Sequence, residues 1–216
     1  MTAGIARAEA VESKVDAFAE QTFEHALAAA REAEARYGGK GAAPRALEGF
    51  PVATKEEQPL KGRRSTGGSL AFRDEMADET HPVVERLQAA GGIVHARTAT
   101  TEFSCAAFTQ SRLWGVTRNP SNLEFSPGGS SSGAGDALAA GETTRATGSD
   151  IGGSLRIPAL GSTPAGPGLP PDRAPRQPTA VRASAHGRWP SPGTRPVARR
   201  RFSSACPTKA VKGDAA

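Results

Sequence analysis

The sequence predicts an α/β fold over residues 1–160, with helices covering a sheet, followed by a disordered C-terminal tail over 161–216. Three observations lead there. Short apolar runs alternate with segments of helical spacing, in the order expected of βα units. Glycine-, serine- and proline-rich turns separate them. Composition then changes abruptly at Gly161: ten of the seventeen prolines, and ten Lys plus Arg against two Asp and no Glu, lie between Gly161 and Ala216.

The elements follow in order. Val11, Val15 and Phe18 fall at helical spacing, and Phe23, Leu27 and Ala30 continue an alanine-rich pattern to Tyr37, where Gly38 and Gly39 supply a stop, so one helix is expected through this stretch. Phe50 to Thr54 is a short apolar run whose Pro51 suits the first position of a strand, with Lys55 at its end. Thr80 can cap a helix through Val83, Val84 and Leu87 to Gly91, and Ile93 to Ala96 then reads as a strand. Gly133 to Ala140 reads as a small-residue helix and Thr143 to Thr147 as a further strand.

Composition excludes several classes. The net charge of +5 is a property of the tail, because residues 1–160 carry a slight acidic excess, so charge gives no reason to expect specific nucleic-acid binding by the folded part. No apolar stretch is long enough for a membrane span and no charged-then-apolar leader begins at Met1, which makes the cytoplasm the expected compartment. Cys105 and Cys206 are too few and too far apart for a disulfide framework, and the four His lack ligand spacing, so neither metal nor cofactor is expected. Cys105 is expected in the core. The tail's isolated apolar residues and frequent prolines cannot offset its conformational entropy by burial.

Two loops concentrate hydroxyls among glycines: Ser126-Pro127-Gly128-Gly129-Ser130-Ser131-Ser132-Gly133 and Gly148-Ser149-Asp150-Ile151-Gly152-Gly153-Ser154-Leu155-Arg156-Ile157-Pro158. Glycine permits close backbone approach, so successive N–H groups can converge on an anion or a developing oxyanion. A single GGS more often marks a plain turn. Two such loops separated by one helix and one strand are a different matter. Asp150 and Arg156 are expected to be structural, and Ser131, Ser132 and Ser149 to satisfy loop backbone groups.

Residues 128–158, GGSSSGAGDALAAGETTRATGSDIGGSLRIP, resemble the signature of the amidase-signature family. The resemblance extends upstream through GFPVATKEE at 49–57, THPVVERLQAAGGIVHARTATTEFS and WGVTRNP, and runs from about Val11 to Ala159. It implies a serine hydrolase that cleaves a carbon–nitrogen amide bond of a small-molecule substrate through an acyl-enzyme. Carried over by position, Ser154 is the nucleophile, Ser130 the bridging serine after a cis bond to Gly129, and Lys55 the base. The backbone N–H groups of Ile151, Gly152, Gly153 and Ser154 correspond to the oxyanion hole. A neutral lysine amine can take a serine proton through a second hydroxyl, provided its pKa is lowered. Relatives of the amidotransferase A subunit use a similar centre to release ammonia from glutamine, and an inactive fragment or pseudoenzyme is the other alternative.

The same resemblance implies a longer domain around a mixed central sheet, so residues 1–160 are read as a partial amidase-signature domain and the chain as an incomplete form. Thr54 and Glu56 flank the lysine where an apolar residue and Asp are usual, Asp136 interrupts a helix usually small and apolar, and Arg145 occupies a position expected to be buried and apolar. The tail's composition is that of GC-rich DNA read out of frame near Leu160; a basic arm that binds nucleic acid is the rival reading, lacking interleaved aromatics. A chain ending at Leu160 is accordingly expected to keep the far-UV circular dichroism and protease resistance of the full chain. Loss of ordered structure on that deletion would show that the tail packs against the domain.

Overall fold

The computed structural model describes residues 1–162; the expectations for the tail, Cys206 included, lie outside the described residues. Helix α1 (Thr2–Val15) opens the chain and strand β1 (Phe18–Gln21) follows it. Helix α2 (Phe23–Tyr37), strand β2 (Pro51–Lys55), helix α3 (Pro82–Ala89) and strand β3 (Ile93–Thr98) come next. Two short strands, β4 (Gln110–Ser111) and β5 (Gly115–Val116), form a hairpin before helix α4 (Ser132–Ala140) and helix α5 (Arg156–Gly161). The main sheet has the order β1-β3-β2, with β1 antiparallel and β2 parallel to β3. It is a mixed α/β fold, as the sequence predicts.

The single helix expected from Val11 to Tyr37 is broken into helix, strand and helix. Asp16 takes a left-handed conformation at φ 55° and ends α1. The Glu12 carboxylate then accepts the N–H groups of Ala17 (3.1 Å) and Phe18 (2.6 Å), satisfying donors that a continuing helix would have used internally. The chain turns into β1, and Ala99 donates to the carbonyl of Ala17 across to the end of β3. Helical spacing was misleading because the same apolar residues face the core from a helix and from a strand: Val15, Ala17 and Phe18 are all buried.

Smaller corrections have local causes. His81, rather than Thr80, caps α3, its Nδ1 accepting the Val83 N–H at 3.3 Å, while the Thr80 hydroxyl accepts from the Lys61 N–H. The strand expected over Thr143–Thr147 reduces to one parallel bridge between Ala53 and Ala146. Two ladder bonds form there, and the next donor, Lys55 N–H, goes to the Thr147 hydroxyl (3.0 Å) instead of to a carbonyl. Arg145 is exposed and lies over the Phe50 ring, 4.8 Å from its centroid, so the charge expected to be buried is solvated. Cys105 is exposed as well, because Phe103 and Ser104 take positive φ and turn the segment outward.

Small side chains set the spacing of the layers. The core is built on Ala8, Val15, Ala17, Phe18, Ala53, Ala96, Ala137 and Ala140. Helix α4 is covered on both sides: a Cβ on Gly133 would lie 2.4 Å from the Ala17 carbonyl oxygen, and one on Gly135 would lie 2.6 Å from Ser162 Oγ. Only glycine lets the helix sit this close to the sheet on one side and to α5 on the other. The first turn of α4 is thereby pressed against the end of β3.

This packing traps carboxyl groups. Asp136 in α4 and Glu142 just after it are fully buried. Burial pushes Asp136 up to about 8, and neither of its carboxylate oxygens has a hydrogen-bond partner among the described residues. Burial, with Glu12 and Asp136 close by, pushes Glu142 up to about 9. The folded chain therefore holds protons that the unfolded chain has released, and stability present below the ordinary carboxylate range is lost as pH rises through these values. The midpoint of thermal unfolding should fall as pH is raised from the ordinary carboxylate range towards about 9, and Asp136→Asn should flatten that fall and raise stability at its alkaline end. An unchanged pH slope in Asp136→Asn would refute this account.

Candidate active site

Lys55 ends β2, and the parallel pairing of β2 with β3 directs it to the end of the sheet where α4 begins. Its side chain is 0 % exposed. The three hydrogens of an ammonium have three acceptors: Ser130 Oγ at 2.7 Å, Ser149 Oγ at 2.9 Å and the Glu57 carboxylate at 3.1 Å. Burial pulls the Lys55 pKa down, and Glu57 and then Asp150 partly oppose it.

Ser130 arrives from the first glycine-rich loop, immediately before α4. The Gly129–Ser130 peptide is cis, as the sequence resemblance implies. The Thr100 hydroxyl donates to the Ser130 carbonyl at 3.1 Å, and Ser130 is itself buried. Ser131 clamps the two loops together: its N–H donates to the Ser154 carbonyl at 3.0 Å, and its hydroxyl donates to the Ser149 carbonyl at 3.2 Å and accepts the Ser149 N–H at 3.3 Å. Ser132 departs from expectation, donating to the Thr109 hydroxyl rather than to backbone.

The second loop is organised by Asp150. Its carboxylate accepts the N–H groups of Gly153 (2.7 Å), Leu155 (3.1 Å) and Arg156 (3.2 Å), and both Nε and one terminal nitrogen of the Arg156 guanidinium at 3.0 Å. Arg156 and these backbone donors hold the Asp150 carboxyl well below the usual carboxylate range. The structural role expected of Asp150 and Arg156 thus has a concrete form, a carboxylate collar around which the loop closes.

The expected site residues are gathered unequally. Lys55 and Ser130 are in direct hydrogen-bond contact. Ser154 is joined to the first loop through its carbonyl, which accepts the Ser131 N–H at 3.0 Å. Of the four N–H groups expected at the oxyanion hole, Gly153 is engaged by Asp150, and those of Ile151, Gly152 and Ser154 have no protein acceptor among the described residues. The collar that shapes the loop has taken one donor and leaves three.

Two participants were missed. Glu57 accepts from the hydroxyls of Ser104 and Ser149 as well as pairing with Lys55. Burial pushes the Glu57 carboxyl up, but Lys55 and these hydroxyls outweigh it and leave the pKa lowered. Ser149, expected to serve the loop backbone, instead points its hydroxyl between the amine and the carboxylate. No local signal marks Glu57: it lies in the turn after β2, where strand alternation no longer fixes which way a side chain faces. Glu56, noted because it flanks the lysine, turns the other way and accepts from Thr66 N (2.6 Å) and Oγ1 (2.9 Å). Among the described residues no group of three His, Cys, Asp or Glu is placed to hold a metal ion, and no helix is long and apolar enough to cross a membrane.

The profile of the family described as Amidase matches residues 1–165. The A subunit of glutamyl-tRNA(Gln) amidotransferase from Geobacter metallireducens is 41% identical over 155 residues, covering 72% of this chain and 32% of the relative. Indoleacetamide hydrolase of Bradyrhizobium diazoefficiens is 42% identical over 153 residues, covering 71% and 29%. Among solved structures, 6-aminohexanoate cyclic dimer hydrolase complexed with substrate superposes with a TM-score of 0.65 at 32% identity, covering 75% of this chain and 32% of that one. The chain spans about a third of the length of the curated relatives it matches.

The collar is open to test. Asp150→Ala should leave far-UV circular dichroism unchanged while exposing the 148–157 loop to limited proteolysis, mapped by peptide mass. Cleavage at the wild-type rate within that loop would show that Asp150 does not hold it.

Proposed function

Because this chain belongs to the amidase family, we propose that it carries the nucleophile, relay and base of an amide-hydrolysing centre, with Ser154, Ser130 and Lys55 in those roles and a small-molecule amide as substrate. The observation that supports this best is the 2.7 Å contact between a fully buried lysine amine and a serine hydroxyl delivered by a different loop. Burial disfavours the charged amine and so favours the form able to accept a proton.

The chemistry runs through those groups. The Ser154 oxygen attacks the substrate carbonyl as its proton passes to Ser130 and the Ser130 proton passes to Lys55. The oxyanion accepts from the backbone N–H groups of Ile151, Gly152 and Ser154, donors of a kind whose individual loss typically costs about 10²- to 10³-fold in rate. Collapse breaks the carbon–nitrogen bond, and the proton returns from Lys55 through Ser130 to the departing amine. Water then attacks the acyl-enzyme, giving its proton along the same path, and Ser154 is released with a free acid. With glutamine as the amide, the same sequence liberates ammonia, a reaction suggested by the amidotransferase among the relatives.

A second reading has one observation in its favour. The contact that joins Ser154 to the first loop is made by its backbone carbonyl, a framework contact that suits a chain keeping the frame of the site without its chemistry. A fluorophosphonate, which is attacked by activated serines, separates the two. Hydrolase function requires covalent labelling of the full chain at Ser154, lost in Ser154→Ala and reduced at least about 100-fold in Lys55→Ala, the order of magnitude that general-base assistance contributes. Soluble, folded protein that takes no label supports the second reading.

A further inference from the structure

We propose that Glu57 is a positioning residue for the Lys55 base, keeping the amine aimed at Ser130 and stabilising the ammonium that forms when Lys55 takes the relayed proton. This rests on the reading of Lys55 as the base. The geometry is specific to the pair: a carboxylate oxygen stands 3.1 Å from Nζ, on an amine whose other two partners are the Ser130 and Ser149 hydroxyls. Both carboxylate oxygens are also tied, one to Ser149 and one to Ser104, so the charge is fixed in place. Thr100 donates to the Ser130 carbonyl, and its oxygen lies 3.2 Å from that of Ser104, whose own proton goes to Glu57. Hydroxyls from separate segments therefore surround the carboxylate and the amine, Ser104 and Ser149 on Glu57 and Ser130 and Ser149 on Lys55.

Electrostatics gives the arrangement its consequence. An isolated amine buried this fully is driven towards neutrality, and protonating it during the attack would place an unpaired ammonium away from water. An ionised carboxylate in contact removes that obstacle without itself gaining or losing a proton. The proton leaving Ser154 goes to Ser130 as the Ser130 proton goes to Lys55; Glu57 remains an anion throughout. Among the described residues, the charged groups that act on Lys55 are Glu57 and, more weakly, Asp150, whose charge is engaged by Arg156; its hydrogen-bond partners besides Glu57 are the Ser130 and Ser149 hydroxyls. Glu57 is thus the group whose removal should move the lysine.

The test uses the full chain and reads the lysine directly. In protein carrying ¹³C-labelled lysine, with the Lys55 signal identified by its loss in Lys55→Met, Glu57→Gln should lower the Lys55 titration midpoint by about 1 to 3 pH units, the range for loss of an opposite charge in contact. The rate of fluorophosphonate labelling at Ser154, followed against pH, should have its rising limb displaced to lower pH by the same amount. Lys55→Met examines the pair from the other side: the Glu57 carboxyl midpoint should rise, which keeps the coupling measurable if Glu57→Gln does not fold. A wild-type chain that labels at Ser154 while the Lys55 midpoint and the rate limb stay fixed in Glu57→Gln overturns the role of Glu57 alone. No labelling of the wild type overturns the hydrolase reading, and the catalytic role of Glu57 with it, whatever the titration shows.

Discussion

A lysine amine withdrawn from water needs a partner for each of its hydrogens, and meeting that need at Lys55 organises this end of the molecule. Ser130, Ser149 and Glu57 come from three separate segments, and each must be held within about 3 Å of a single nitrogen. The first loop, the second loop and the turn after β2 therefore have no freedom to shift independently. Ser131, whose N–H and hydroxyl both reach the second loop, is the joint that makes the two loops one unit.

The close approach behind this rests on what the core lacks. Alanines and glycines, rather than large aliphatic side chains, line the contact between α4 and the sheet. A core of this kind gains less from each buried residue, since the hydrophobic contribution scales with apolar area. It gains proximity instead: the hydroxyls at the start of α4 reach the strand end, where larger side chains would hold the helix too far off. The trapped carboxyls of Asp136 and Glu142 belong to the same compromise, polar groups in a layer too thin to admit solvent.

The sequence disclosed the two hydroxyl-bearing loops because glycine runs are local features, visible without knowing what lies opposite, whereas Lys55 was singled out only through the family resemblance of its segment. It did not disclose the break between α1 and α2, because the signal is a long-range one: β1 exists only through its pairing with β3 and through a carboxylate that captures two backbone donors. Glu57 escaped for a related reason, since a charged residue after a strand reads as surface until its three partners are known. The strand expected over Thr143–Thr147 failed in the other direction, as β-prone residues whose ladder was diverted by a threonine side chain.

The two serine contacts of Lys55 span 75 and 94 residues of sequence. Contacts of such separation are formed only after much loop-closure entropy has been overcome, and chains dominated by them fold slowly. A nascent or partly folded chain consequently has its lysine in water, distant from Ser130 and Ser149. The environment that lowers the Lys55 pKa is in this way acquired only with tertiary closure, and the local segment around the lysine carries none of it.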